Sequence, residues 1–180
     1  MINTFIRYFI RFILVYLFQV LVLNNMQYSG LINPYFYIWF ILVLPFETPG
    51  WLVLVSAFLL GLGIDLFPQG ISGAAPSMGM HAGATVLLAF MRPMVWRWIS
   101  PGDGYDPKTL PDTHFYGWIW FMSYVMMLTL IHHLALFLLE DFSFHRLHIL
   151  LLRVLLSAIF TWGIIMLWEI IKPGKQRKYG

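Results

Sequence analysis

Between Tyr116 and Leu139 the chain carries no Asp, Glu, Lys or Arg, and from Ile149 to Ile171 only Arg153 and Glu169 are charged. Each run reaches the ~20 apolar residues with which a helix crosses a bilayer. A single core could not keep several such runs from water. Over the whole chain 60% of residues are hydrophobic and 11% charged, against about 25% charged in an ordinary soluble domain. The bilayer is therefore the expected solvent, and the expected fold class is all-α, an integral membrane bundle. The 18% aromatic share fits, because Trp and Tyr gather at membrane interfaces.

Six transmembrane helices are expected, at 5–23, 34–46, 51–67, 78–99, 116–139 and 149–171, in one domain over 1–172. The first is read as a retained anchor, since no small-residue cleavage site follows it. The second is the shortest, about 13 residues or ~20 Å of helix, so it either crosses or re-enters. Asn33 and Pro34 should start it, as cap and first helical residue. A kink is expected near Pro93. Residues 100–115 form a polar, cytoplasmic linker expected to tolerate change, and 173–180 a basic cytoplasmic tail suited to an anionic lipid surface.

With six spans and both ends cytoplasmic, all of the 11 Lys and Arg except Arg146 and Arg153 lie in or beside cytoplasmic segments. Five spans would split the basic termini across the membrane, so the positive-inside rule favours six. The expected location is the cell inner membrane. Basic residues grouped at chain ends and one loop do not make the stripe that nucleic acid requires.

The residues from Ala57 to Pro93 stand apart, because they place Asp65, His81 and Arg92 inside apolar runs. Charges at such depth need partners. Asp65 and His81 fall near the outer ends of spans three and four, and Arg153 near the outer start of span six. They are expected to form one structural polar cluster, with Asp65 and Arg153 as a buried pair. On the cytoplasmic side Glu47 is expected to pair with Arg92 or Arg11. Ala57 and Gly61 are four residues apart, as are Gly79 and Gly83, a spacing for close helix packing or partner contact.

Other chemistry finds little footing. GLGID lacks the second intramembrane aspartate that an aspartyl protease needs. His132 and His133 are neighbours about 100° apart on a helix, a poor metal pair. His145 and His148 flank Arg146 in a loop better read as solvated. Asp103, Asp106 and Asp112 lack the calcium-loop spacing. The chain has no cysteine and no nucleotide or hydrolase motif. No catalytic residue, metal or cofactor is expected, and the chain is not read as an enzyme.

Several phrases nevertheless occur in a telling order: QVLVLNN, NPYFYIWFILVLPFETP, GLGIDLF and GMHAGATVLLAFMRP. With the length and six-span layout, they give a chain that resembles the MreD family of bacterial rod shape-determining membrane proteins. The likeness is strongest over residues 1–100. It implies a scaffold of the cell-elongation machinery that binds MreC. Through MreC it would help couple MreB filaments to RodA and its transpeptidase partner in lateral peptidoglycan synthesis. The family is also similar in architecture to the substrate-binding components of vitamin transporters, so a small-molecule transporter component is the alternative. The scaffold reading expects lipid-facing grooves with small residues and exposed aromatics; the transporter reading expects a closed, solvent-reachable outer pocket lined by polar groups and aromatics.

Overall fold

A computed structural model describes residues 2–26, 31–67, 79–102, 104–106, 109–141 and 146–172. The turn expected from Phe67 to Ser77 beyond its first residue, Asp103, Lys108, His145 and the tail at 173–180 lie outside the described residues. Six α-helices and no strand are present among those described. They are α1 (Ile2–Leu21), α2 (Trp39–Leu42), α3 (Gly50–Asp65), α4 (Met80–Trp98), α5 (Thr113–Glu140) and α6 (Leu147–Ile171). The helices holding α1, α5 and α6 are long and apolar enough to cross a membrane, whereas α3 is equally apolar but shorter. Phe9, Leu14, Phe58, Phe90, Ile119, Phe160 and Ile170 stand exposed on the outside, as in a bundle that lipid solvates.

Helices α3, α4, α5 and α6 pack in chain order, each antiparallel to the next. One end of the bundle, here basal, holds the starts of α1, α3 and α5; the other is distal. The α3–α4 contact is unusually close. A Cβ at Gly61 would come within 2.5 Å of the Ala82 Cα, so only glycine lets these backbones meet. Ala57 is fully buried in the core. Gly83 faces Leu139 of α5 at ordinary contact distance, and Gly79 packs against nothing. Gly79 instead takes φ 81° as the residue before α4, a left-handed conformation that suits glycine. Of the four small residues, then, Ala57, Gly61 and Gly83 serve packing within the bundle and Gly79 serves a turn.

The expected helix over 34–46 does not form. Irregular backbone runs from Asn33 to Tyr35, then a 3-10 turn at Phe36–Ile38 leads into α2, a single α-helical turn. Every residue from Asn33 to Leu42 is buried. The segment descends antiparallel to α1, with Phe36 against Phe18 and Phe40 against Phe12. Asn33 is no helix cap: its N–H donates to Ser157 Oγ at 3.0 Å. Tyr35 N–H donates to Thr161 Oγ1 at 2.9 Å. Neighbouring helices thus supply the partners that a helix would have supplied, and a run of five aromatics among residues 35–40 offers little helix propensity in return.

Two smaller departures lie at the basal end. Pro93 lies inside α4 as expected, and α5 breaks at Gly117, where φ is 80° and ψ 167°. The linker before α5 is not a free strap either. Tyr105 donates to the Trp96 carbonyl at 2.6 Å, accepts from Trp120 Nε1 at 2.9 Å and lies on Phe46. Asp112 caps α5 by accepting from the N–H groups of His114 and Phe115. Change in this linker therefore reaches the bundle, contrary to the tolerance its composition suggests.

Candidate functional site

Three sites emerge, and the first lies at the distal end. Asp65, the last residue of α3, reaches the start of α4. Its Oδ1 accepts from the His81 N–H at 3.0 Å and meets His81 Nδ1 at 2.9 Å; its Oδ2 accepts from the Ala82 N–H at 3.0 Å. The first N–H groups of a helix lack intrahelical partners and carry its positive end. A carboxylate from another helix answers both needs, and α4 has no cap of its own. Asp65 is thus a clasp closing the α3–α4 hairpin.

Arg153 does not join it. Its Nη2 meets Glu140 Oε2 at 2.7 Å, and the guanidinium lies 4.0 Å from the Phe137 ring centroid. With the Asn33 amide oriented to satisfy both of its atoms, the same Nη2 donates to Asn33 Oδ1 at 3.0 Å. The packing order explains the difference. The helix α6 lies on α5, whereas α3 lies on α4, so Glu140 is the near carboxylate and Asp65 is not.

Between the two sits a layer of rings that composition alone did not single out. Tyr35 packs against His81, His132 and His133 with centroids 5.1, 5.9 and 5.4 Å away. Proton positions follow from the network. Thr85 donates to the His81 carbonyl at 2.6 Å, so the Tyr37 hydroxyl donates to Thr85 and accepts from His132 Nε2 at 2.8 Å. His133 donates from Nδ1 to the Thr129 carbonyl, which leaves Nε2 to accept from Thr161. Both histidines are therefore neutral packing elements on either side of Tyr35. Among the described residues no group of three or more metal-ligating side chains occurs.

At the basal end the expected pairing of Glu47 with Arg92 or Arg11 is absent among the ion pairs of the described residues. Arg92, only 2% exposed, donates Nε to the Tyr124 hydroxyl at 2.9 Å and Nη2 to the Leu44 carbonyl. Its guanidinium also stands 4.9 Å from the Trp96 ring centroid. Tyr124 passes its own proton to the Leu42 carbonyl at 3.0 Å. The end of α2 thus takes the donors that a carboxylate would have taken. Glu47 is exposed in its turn, and Arg11 is exposed on α1, where each reaches solvent or headgroups.

The third site is a groove of about 970 Å³ between α1 and α6. Arg11, Leu14, Val15 and Phe18 form one wall, and Ile164, Leu167, Trp168 and Ile171 the other; Phe36, Trp39 and Val43 form the floor. Trp168 closes the floor corner, edge-on to both Phe36 and Trp39. At the basal mouth Glu169 Oε1 accepts from Thr113 Oγ1 at 2.8 Å and from Lys172 Nζ at 2.5 Å. Sequence reasoning missed this groove because its floor is the segment that did not become a helix. A clue was present in α6, where Ser157, Thr161, Ile165 and Glu169 recur every four residues and all are buried. That spacing marks one inward helix face with three polar members.

No family model, curated protein or solved structure matches this chain.

Proposed function

We propose that this chain is a six-crossing scaffold of the cell-elongation machinery in the cytoplasmic membrane, with both ends cytoplasmic. In this reading residues 31–46 are the second crossing, a discontinuous one. Such backbone is tolerated at membrane depth where protein encloses it. The scaffold receives the membrane helix of MreC and through MreC couples MreB filaments to RodA and its transpeptidase partner. The resemblance supplies the partner. The α1–α6 groove carries the reading, because it is an apolar trough with an aromatic floor, open along the side of the bundle. Asp65, Arg92, Gln19, Ser157 and Thr161, by contrast, hydrogen-bond within the bundle and hold the fold. The transporter alternative draws on the polar ring layer around Tyr35, and a small molecule retained through purification would favour it.

The test is recovery of MreC from detergent after co-expression. Leu14 and Leu167 are exposed on opposite groove walls, so Leu14→Trp with Leu167→Trp narrows the groove without entering the core. This double variant should reach normal abundance and lose most of the MreC recovered by the wild type. Leu59→Trp, at an exposed site on α3, should recover it normally. Wild-type recovery by the groove-narrowed variant would overturn the assignment.

A further inference from the structure

The groove carries hydrogen-bonding capacity that this chain leaves unused. Trp39 Nε1 and Glu169 Oε2 are both buried and both without a partner, and both residues line the groove. The imbalance at Glu169 is sharp, since its other oxygen holds Thr113 and Lys172. The Trp39 and Trp168 rings meet at 5.7 Å, so the indole lies beside the chain neighbour of Glu169. An indole N–H can only donate, and an ionised carboxylate can only accept. An acceptor would serve the first and a donor the second, and a hydroxyl or carboxamide can be either.

The walls indicate what carries that group. On α1 the lining residues recur at i, i+3, i+4 and i+7, as Arg11, Leu14, Val15 and Phe18; on α6 Ile164 and Leu167 lead into a basal end at which every residue to Lys172 lines the groove. The α1 set is one stripe of a helix surface. Two helix surfaces flanking a trough fit a third helix, whose own side chains settle between them. Buried polar groups left without partners are rare in native folds, and their natural remedy is a partner bringing the complement.

We infer that the groove's occupant is a partner's membrane helix bearing a hydroxyl or carboxamide side chain (Ser, Thr, Asn or Gln) level with Trp39 and Glu169. That side chain accepts from the indole N–H, and a donor on the same helix meets the free carboxylate oxygen. The inference rests on the groove being the partner site, and it adds the chemistry that selects the partner.

The probe is MreC, titrated against the purified chain in detergent. Trp39→Phe keeps an aromatic ring and removes the donor. The smaller ring gives up some contact with Phe36 and Trp168, so the variant should melt somewhat below wild type, and affinities are compared at matched folded protein. Its affinity for MreC should fall about 3- to 10-fold, the range of one interhelical hydrogen bond in a membrane setting. One Ser, Thr, Asn or Gln to Ala change in the MreC helix should lower affinity by itself yet add little to Trp39→Phe. If Trp39→Phe binds as wild type while the groove-narrowed variant does not, the polar contact is wrong and the groove assignment survives. Wild-type binding by both variants would overturn the groove assignment and this inference with it. So would a phospholipid that co-purifies with wild type and is lost from the narrowed variant while MreC affinity is unchanged.

Discussion

The two ends of the buried segment at residues 31–46 meet the same demand by different means. At its distal end neutral side chains answer both kinds of group: Ser157, Thr161 and Gln19 accept from the N–H groups of Asn33, Tyr35 and Tyr37, and Ser157 and Gln19 also donate to the Leu31 and Pro34 carbonyls. At its basal end carbonyls are free, and donors answer them: Tyr124 at Leu42 and Arg92 at Leu44. Neutral side chains suffice at the distal end. At the basal end a guanidinium is used, supplying several donors from one side chain. This is why Arg92 is buried without a carboxylate: carbonyl and hydroxyl oxygens and the Trp96 ring face take that place.

That contrast can be broken most forcefully at Arg92. Arg92→Ala strands the Leu44 carbonyl and removes the donor to Tyr124. Each unmet buried group costs about 1–3 kcal/mol, so a loss near 4 kcal/mol in detergent unfolding is expected. Arg92→Lys should recover only part, because an ammonium cannot span both acceptors in the planar geometry of a guanidinium. A variant Arg92→Ala as stable as wild type would mean that water already serves these carbonyls.

Gln19 sharpens the distal side. It is fully buried, and its amide works both ways, accepting from the Tyr37 N–H at 3.2 Å and donating to the Pro34 carbonyl at 3.0 Å. Gln19→Leu leaves the Tyr37 N–H and two acceptors, the Pro34 carbonyl and Asn24 Oδ1, unmet, so about 3 kcal/mol should be lost. Gln19→Glu keeps the acceptor and loses the donor, and should fall between. If the two substitutions are equally damaging, the Pro34 contact rather than the Tyr37 contact is what anchors α1 to the segment.

The regular parts of this fold were legible because apolar runs of helical length leave little choice in lipid. Each of α1, α3, α4, α5 and α6 falls within a few residues of its expected span. The Asp65–His81 contact was also readable, since both residues end a helical hairpin at one depth. Arg153 was misassigned because equal depth says nothing of azimuth, and only the packing order puts Glu140 nearer. The greater loss was the segment at 31–46. Its Asn-Pro start and its length resemble a short helix, and nothing local announces that Ser157, Thr161 and Gln19, over 100 residues apart in part, will take its N–H groups. Tertiary hydrogen bonds overrode a local pattern, and the groove above that segment was hidden with it.

Thr161 offers the finest test of that override. Its hydroxyl oxygen accepts from the Tyr35 N–H at 2.9 Å and meets His133 Nε2 at 3.2 Å. Thr161→Val preserves shape and removes both contacts, so the Tyr35 N–H is left unmet at a site with no access to water. One buried backbone donor without a partner should lower stability by about 1–2 kcal/mol. Thr161→Ser keeps the hydroxyl and loses one methyl group, about 1 kcal/mol or less. The order wild type, Ser, Val is the prediction, read from detergent melting curves at matched protein abundance. Helical content, measured alongside, separates two causes. If Thr161→Val gained helix while keeping its stability, residues 33–38 would have recovered their own intrahelical bonds, and the segment would be a helix that its neighbours had merely unwound. If helix content is unchanged and stability falls, the broken backbone is the segment's own preferred state inside this bundle. The aromatic crowding at Tyr35, Phe36, Tyr37, Trp39 and Phe40 favours the second result, because those rings pack against different helices and could not all keep their contacts on a continuous helix.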